Sequence, residues 1–157
     1  MPTIHTLERV VVTNDADATR ALAAALAQAG RAGDVVALHG ELGAGKTQFA
    51  KGFAAGLGIS ETVNSPSFVL MSEYAGRLPL FHLDLYRLAD GNEALAGGLI
   101  DERQSDGVVL IEWAERLGSA LPPRRLDVRI DGTGDEPRSI AISAGDASLR
   151  RYLEAIP

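Results

Sequence analysis

Leu22, Leu26 and Ala29 recur at helical spacing through an alanine-rich stretch ending at Gly30, and Asn14-Asp15 ahead of them are cap-forming residues, so the chain predicts a first helix there. The pattern then shortens. Residues 34–39 (DVVALH) form an apolar run rich in β-formers, read as a strand, and Phe49, Phe53 and Leu57 share one face of a second helix closed by Gly56 and Gly58. Residues 68–74 and 80–86 read as two strands of a hairpin turning around Ala75-Gly76-Arg77. Residues 90–99 have helical character interrupted by Gly97-Gly98. Residues 108–111 are a compact apolar run of the kind covered on both faces of a sheet. Pro122-Pro123 break the chain before a strand at 126–130, and an acidic, glycine-rich turn at 131–136 precedes another at 139–143. Residues 146–155 close as a short helix with Leu149 and Leu153 facing inward. This succession predicts an α/β fold: one domain over residues 1–157, built on a central, mixed, partly parallel sheet flanked by helices.

Composition narrows the function classes. A chain of 157 residues suits one domain with a real core. No apolar run approaches the roughly 20 residues of a membrane-spanning helix, and the start, Met-Pro-Thr-Ile-His, lacks the basic-then-apolar pattern of an export signal. The absence of cysteine excludes disulfides and thiolate metal sites and fits a cytoplasmic protein. The three histidines (His5, His39, His82) are scattered without metal-ligand spacing. A net charge of −6 weighs against a protein that grips nucleic acid by itself. Arg124-Arg125 make a small basic spot, read as solvated surface.

The chemistry gathers at residues 40–47, GELGAGKT, a full match to G-x-x-x-x-G-K-[ST] between a predicted strand and a predicted helix. A triphosphate is a dense anion. Glycines at 43 and 45 let backbone N–H groups approach its oxygens, and the following helix adds its positive end. Lys46 supplies charge to the outer phosphates, and the Thr47 hydroxyl suits the shell of Mg²⁺. Magnesium also needs a carboxylate, and two predicted strands end in one: residues 80–84 in Asp84 and residues 108–112 in Glu112. Alternation puts His82, Asp84 and Tyr86 on one face. Trp113, the lone tryptophan, is either a hydrophobic neighbour that raises the pKa of the Glu112 carboxyl or plain core, and core is the preferred reading. Residues 64–68 (NSPSF) are either a plain turn or the place where a hydroxyl meets the terminal phosphate or its metal.

GELGAGKT at 40–47, VNSPSF at 63–68, HLDLYR at 82–87 and LIEW at 110–113, in that order, resemble the TsaE family over roughly residues 15–130. The resemblance implies a P-loop NTPase domain that binds ATP and Mg²⁺. It implies an ATPase that supports turnover of the TsaB–TsaD pair, which transfers a threonylcarbamoyl group to adenosine 37 of tRNA, with tRNA engaged only indirectly and no membrane involved. Carried onto this chain, the nucleotide contacts are Glu41, Leu42, Gly43, Ala44, Gly45, Lys46, Thr47, Gln48 and Ser67. Thr47, Asp84 and Glu112 serve the metal, and Asp84 and Glu112 serve hydrolysis. Ser67 stands where the family usually has threonine, and Gln48 replaces a common second threonine. Residues beyond Ile130 carry no assigned site. Two other readings share the glycine loop: a small-molecule kinase, for which Arg103 and Arg116 are the lid arginines on offer, and a nucleotide-gated binding module without catalysis.

Overall fold

A computed structural model describes residues 7–41, 43–63, 71–86 and 102–157. Seven strands make one sheet: β1 (Leu7–Thr13), β2 (Val35–His39), β3 (Met71–Tyr74), β4 (Leu80–Asp84), β5 (Val108–Glu112), β6 (Leu126–Asp131) and β7 (Arg138–Ala144). Their order is β1-β7-β6-β2-β5-β4-β3. The middle four strands run parallel, β4 to β5 to β2 to β6, and antiparallel pairs extend them to both edges. The mixed, partly parallel sheet is therefore as expected.

The parallel centre explains the sequence pattern. Every residue of β5 is buried, because both faces of that strand are covered. On one face Val36, Leu38, Leu80, Leu110, Val128 and Ile142 meet the helices α1 (Ala16–Ala27), α2 (Lys46–Gly56) and α3 (Arg150–Glu154). On the other, Ala37, Phe81, Leu83, Val109 and Ile111 pack against a 3₁₀ segment, Ala114–Ala120. β6 and β7 alternate buried and open positions, so their second face is only half covered.

Helix α1 begins as its cap residue predicts, with the Asp15 side chain accepting from the Ala18 N–H. Helix α2 closes as expected, with Gly56 its last residue and Gly58 at positive φ, but Gly56 has a second part: a Cβ there would meet the Ala24 carbonyl at 2.4 Å. One turn earlier, a Cβ on Gly52 would meet the Arg20 carbonyl at 2.2 Å, so the two helices touch backbone to backbone.

Three further expectations need adjustment. Strand β1 was not foreseen; its Val10 and Val12 are 58% and 62% exposed, and a pattern that faces solvent on an edge lacks the burial signal of a core strand. The second hairpin strand stops at Asp84, so Tyr86 falls beyond the strand, where strict alternation no longer applies. The closing helix is a 3₁₀ turn, Ala147–Leu149, followed by α3, with Leu149 and Leu153 buried as expected. The helix expected at 90–99 and the first residues of the strand at 68–74 lie outside the described residues. No described helix is long and apolar enough to cross a membrane.

Candidate functional site

The C-terminal ends of β2, β4 and β5 lie side by side, and the chain leaves β2 directly into the glycine loop. Gly43 and Gly45 both hold positive φ, at 82° and 107°, and Gly45 is the cap of α2 with no side chain to satisfy the first N–H groups. Those donors face outward from the start of α2, as an anion requires. Gly40 is tight for another reason: a Cβ there would meet the Ile130 carbonyl at 2.6 Å.

A cavity of about 380 Å³ opens over this loop. Glu41, Gly43, Gly45, Lys46, Thr47 and Gln48 line it from the loop side, and Asp84 and Glu112 from the strand ends. The two carboxylates are register partners across β4 and β5, as are Leu38 and Glu112 across β2 and β5. Thus eight of the expected residues converge. Ala44 is buried beneath the loop. Leu42 and Ser67 lie outside the described residues.

Lys46 is nearly buried, and its Nζ donates to the carbonyls of Gly40 and Glu41, the latter at 3.3 Å. Burial lowers its pKa, against the pull of Glu112, Glu115 and Asp84. The same Nζ lies 3.8 Å from the centroid of the Trp113 ring. Trp113 does pack against the core on the second face of the sheet, as expected, but it is only partly buried. It also stands at the site with φ at 59° and packs against Tyr86, ring centroids 5.0 Å apart. A bulky residue in the left-handed region is uncommon, and here it turns the indole toward the lysine.

Glu112 is also buried. Its Oε2 lies 2.6 Å from Nε2 of His82, which is fully enclosed one pleat behind Asp84 on β4. Asp84 is less enclosed and accepts from the Tyr86 N–H at 3.1 Å.

The chain beyond Ile130 proves to reach the loop. Arg138, at the start of β7, donates from Nε to the Ala44 carbonyl at 2.9 Å and from Nη2 to that of Gly43 at 3.3 Å. It also holds the carbonyls of Gly134 and Glu136, fastening the 132–137 turn against the loop. A second cavity of about 290 Å³ lies there, lined by Asn14, Asp15 and Thr19 on one side and Gly134, Asp135 and Glu136 on the other. It shares Gly45, Gln48 and Arg138 with the first, so the two adjoin across these residues. Gln48 is held by Arg20 of α1. None of this was readable locally: the residues come from three distant segments that only the sheet order brings together. Arg124 and Arg125, read as solvated, are tied to Asp34 and Asp127. Of the two lid arginines considered, Arg116 is exposed. The Arg103 side chain lies outside what is described.

The family model for Threonylcarbamoyl adenosine biosynthesis protein TsaE matches residues 13–140. The chain belongs to the TsaE family. It is 46% identical to the tRNA threonylcarbamoyladenosine biosynthesis protein TsaE of Bacillus subtilis over 133 residues, covering 84% of this chain and 83% of that protein. The TsaE of Streptomyces coelicolor is 40% identical, over 79% of this chain and 88% of its own length. The crystal structure of Bacillus subtilis YdiB superposes with a TM-score of 0.80 and 36% identity, covering 98% of this chain and 97% of that one. The fold is that of a TsaE protein, a P-loop fold.

Proposed function

We propose that this TsaE protein is a Mg²⁺-dependent ATPase of tRNA threonylcarbamoyladenosine biosynthesis, hydrolysing ATP to support turnover of the TsaB–TsaD pair. One observation carries the hydrolytic part. Asp84 and Glu112 face each other at adjacent strand ends, in the same cavity as Lys46 and Thr47. A glycine loop alone binds phosphate; the paired carboxylates add groups able to hold a metal and orient a water.

The residues fit the cofactor. Among the described residues no cluster of three or more His, Cys, Asp or Glu is placed to hold a metal. Magnesium needs none, since one or two carboxylates with substrate phosphates and waters complete its shell. Thr47 with Asp84 or Glu112 would hold it. Bound there, Mg²⁺ neutralises charge on the phosphates.

The chain's own groups do the rest. The loop N–H groups bind the phosphate oxygens. Lys46 moves its ammonium from the Gly40 and Glu41 carbonyls to the outer phosphates, and a carboxylate orients the attacking water. The carboxylates sit at one end of the loop and the second cavity at the other, so the nucleoside occupies the space between Asp15 and Asp135, where acidic groups suit a base bearing N–H donors.

Phosphate release from ATP with Mg²⁺, for the chain alone and with TsaB–TsaD added, tests this reading. Slow release that accelerates with the pair is expected. Release that ignores the pair, together with stoichiometric phosphoryl transfer to a metabolite, would replace the reading with a kinase.

A further inference from the structure

His82 sits where the sheet wants a leucine. Leu80 precedes it on the same face of β4, Leu110 is its register partner on β5, and the ring is completely enclosed. Its Nδ1 has no hydrogen-bond partner among the described residues. A buried ring nitrogen without a partner is a standing cost that an apolar residue would avoid. The gain must come from the other nitrogen, whose hydrogen-bond partner among the described residues is Glu112: Nε2 lies 2.6 Å from Oε2.

Stability alone does not explain the pair, because an enclosed polar pair replaced by apolar side chains of the same volume is generally as stable or more so. A carboxylate on a glutamate has a soft last torsion, broad and roughly twofold, so burial by itself leaves its two oxygens free to turn. A short hydrogen bond from a fully packed ring removes that freedom. With Oε2 engaged, Oε1 is the oxygen left to the cavity that Glu112 lines. The acceptor also selects the ring tautomer: a carboxylate requires N–H at Nε2, and no group among the described residues competes for that proton from the Nδ1 side.

We infer that His82 is a positioning residue that locks the orientation of the Glu112 carboxylate, presenting a single oxygen to the metal or water at the phosphate site. This rests on the proposed hydrolytic role of Glu112, and it makes two kinds of claim that separate cleanly. One concerns the nucleotide-free protein: ¹⁵N spectra of the histidine rings should show His82 as the Nε2–H tautomer, and Glu112→Ala should abolish that preference. The other concerns turnover. His82→Leu fills the space without a donor, and His82→Gln returns an N–H at the reach of Nε2. With both variants folded by thermal melting, His82→Leu should lower kcat about 10- to 100-fold, the scale of a misplaced reacting group, while ATP affinity stays within about twofold. His82→Gln should recover most of the loss. In a Glu112→Gln background, His82→Leu should change the rate no further, as expected of residues acting through one group.

A wild-type His82 without the Nε2–H preference overturns the inference, as does equal activity of the leucine and glutamine variants, or a kcat loss that adds fully to that of Glu112→Gln. If the tautomer result holds while the wild-type protein releases no phosphate with or without TsaB–TsaD, the lock stands and the hydrolytic reading fails.

Discussion

Two enclosed carboxylates mark opposite ends of the same pair of parallel strands. Asp34 lies just before β2 and Glu112 closes β5, and they are 1% and 3% exposed. Asp34 is saturated: it accepts from the Arg31 N–H, from Arg124, from Arg151 and from the Tyr152 hydroxyl. Burial and the adjacent carboxylate push the Tyr152 phenol above its usual pKa, so it remains a donor across the working range. The Glu112 carboxylate has one hydrogen bond, to His82, among the described residues. The contrast separates two uses of a buried charge. At the N-terminal end of the strands the demand for donors is met in full, and the group holds α3 and the 124–125 turn to the sheet. At the C-terminal end the demand is left partly open, facing a cavity.

Neutralising each group in turn sharpens that contrast. Glu112→Gln keeps the shape and a hydrogen bond to His82, so stability should move by only about 1 kcal/mol, whereas phosphate release should fall roughly 10²- to 10⁴-fold. A normal rate would erase the functional side of the comparison. Asp34→Asn should do the reverse. It strands two arginines around a neutral group and should cost about 3–5 kcal/mol in urea unfolding, with kcat of the folded protein unchanged. If Asp34→Asn proves the milder of the two in stability, the two ends are not built differently.

The smallest effect belongs to the half-exposed Asp127, between these extremes. Burial raises its pKa, but hydrogen bonds from His39 and Arg125, at 2.9 and 3.0 Å, outweigh that and hold it below the usual carboxylate range. Because the folded value is depressed, its contribution is present above the unfolded pKa, near 3.9, and is lost as pH falls through the folded value. Asp127→Asn should therefore cost under about 1 kcal/mol at neutral pH, solvent screening included. The gap to wild type should close in acid. A gap that widens on acidification would refute the assignment.

How much of this was legible beforehand follows the range of the interactions. The glycine loop, its flanking strand and helix, and the carboxylates at 84 and 112 are each local, and all were read from short segments. That the two carboxylates stand opposite each other is a matter of register, which the sequence only suggests. Trp113 was half legible: its packing on the core was expected, but its contact with Lys46 depends on a backbone angle that a lone tryptophan beside a buried strand does not reveal. Arg138 was invisible, since it reaches the loop from more than ninety positions away. Strand β1 was missed because one of its faces is open to solvent and its partner lies at the far end of the chain.

That last pairing has a consequence for how the molecule is made. Among the described strands β1 neighbours β7 alone, with Leu7 opposite Ala144. Of these strands the earliest made therefore waits for the latest. At roughly 5–20 residues per second the wait is on the order of ten seconds. Through that interval Arg9-Val10-Val11-Val12 is an unclaimed β-segment in a nascent chain. The parallel core, glycine loop included, has its strands in hand before the edge is finished, and among the described strands β1 is the one that waits longest for its partner.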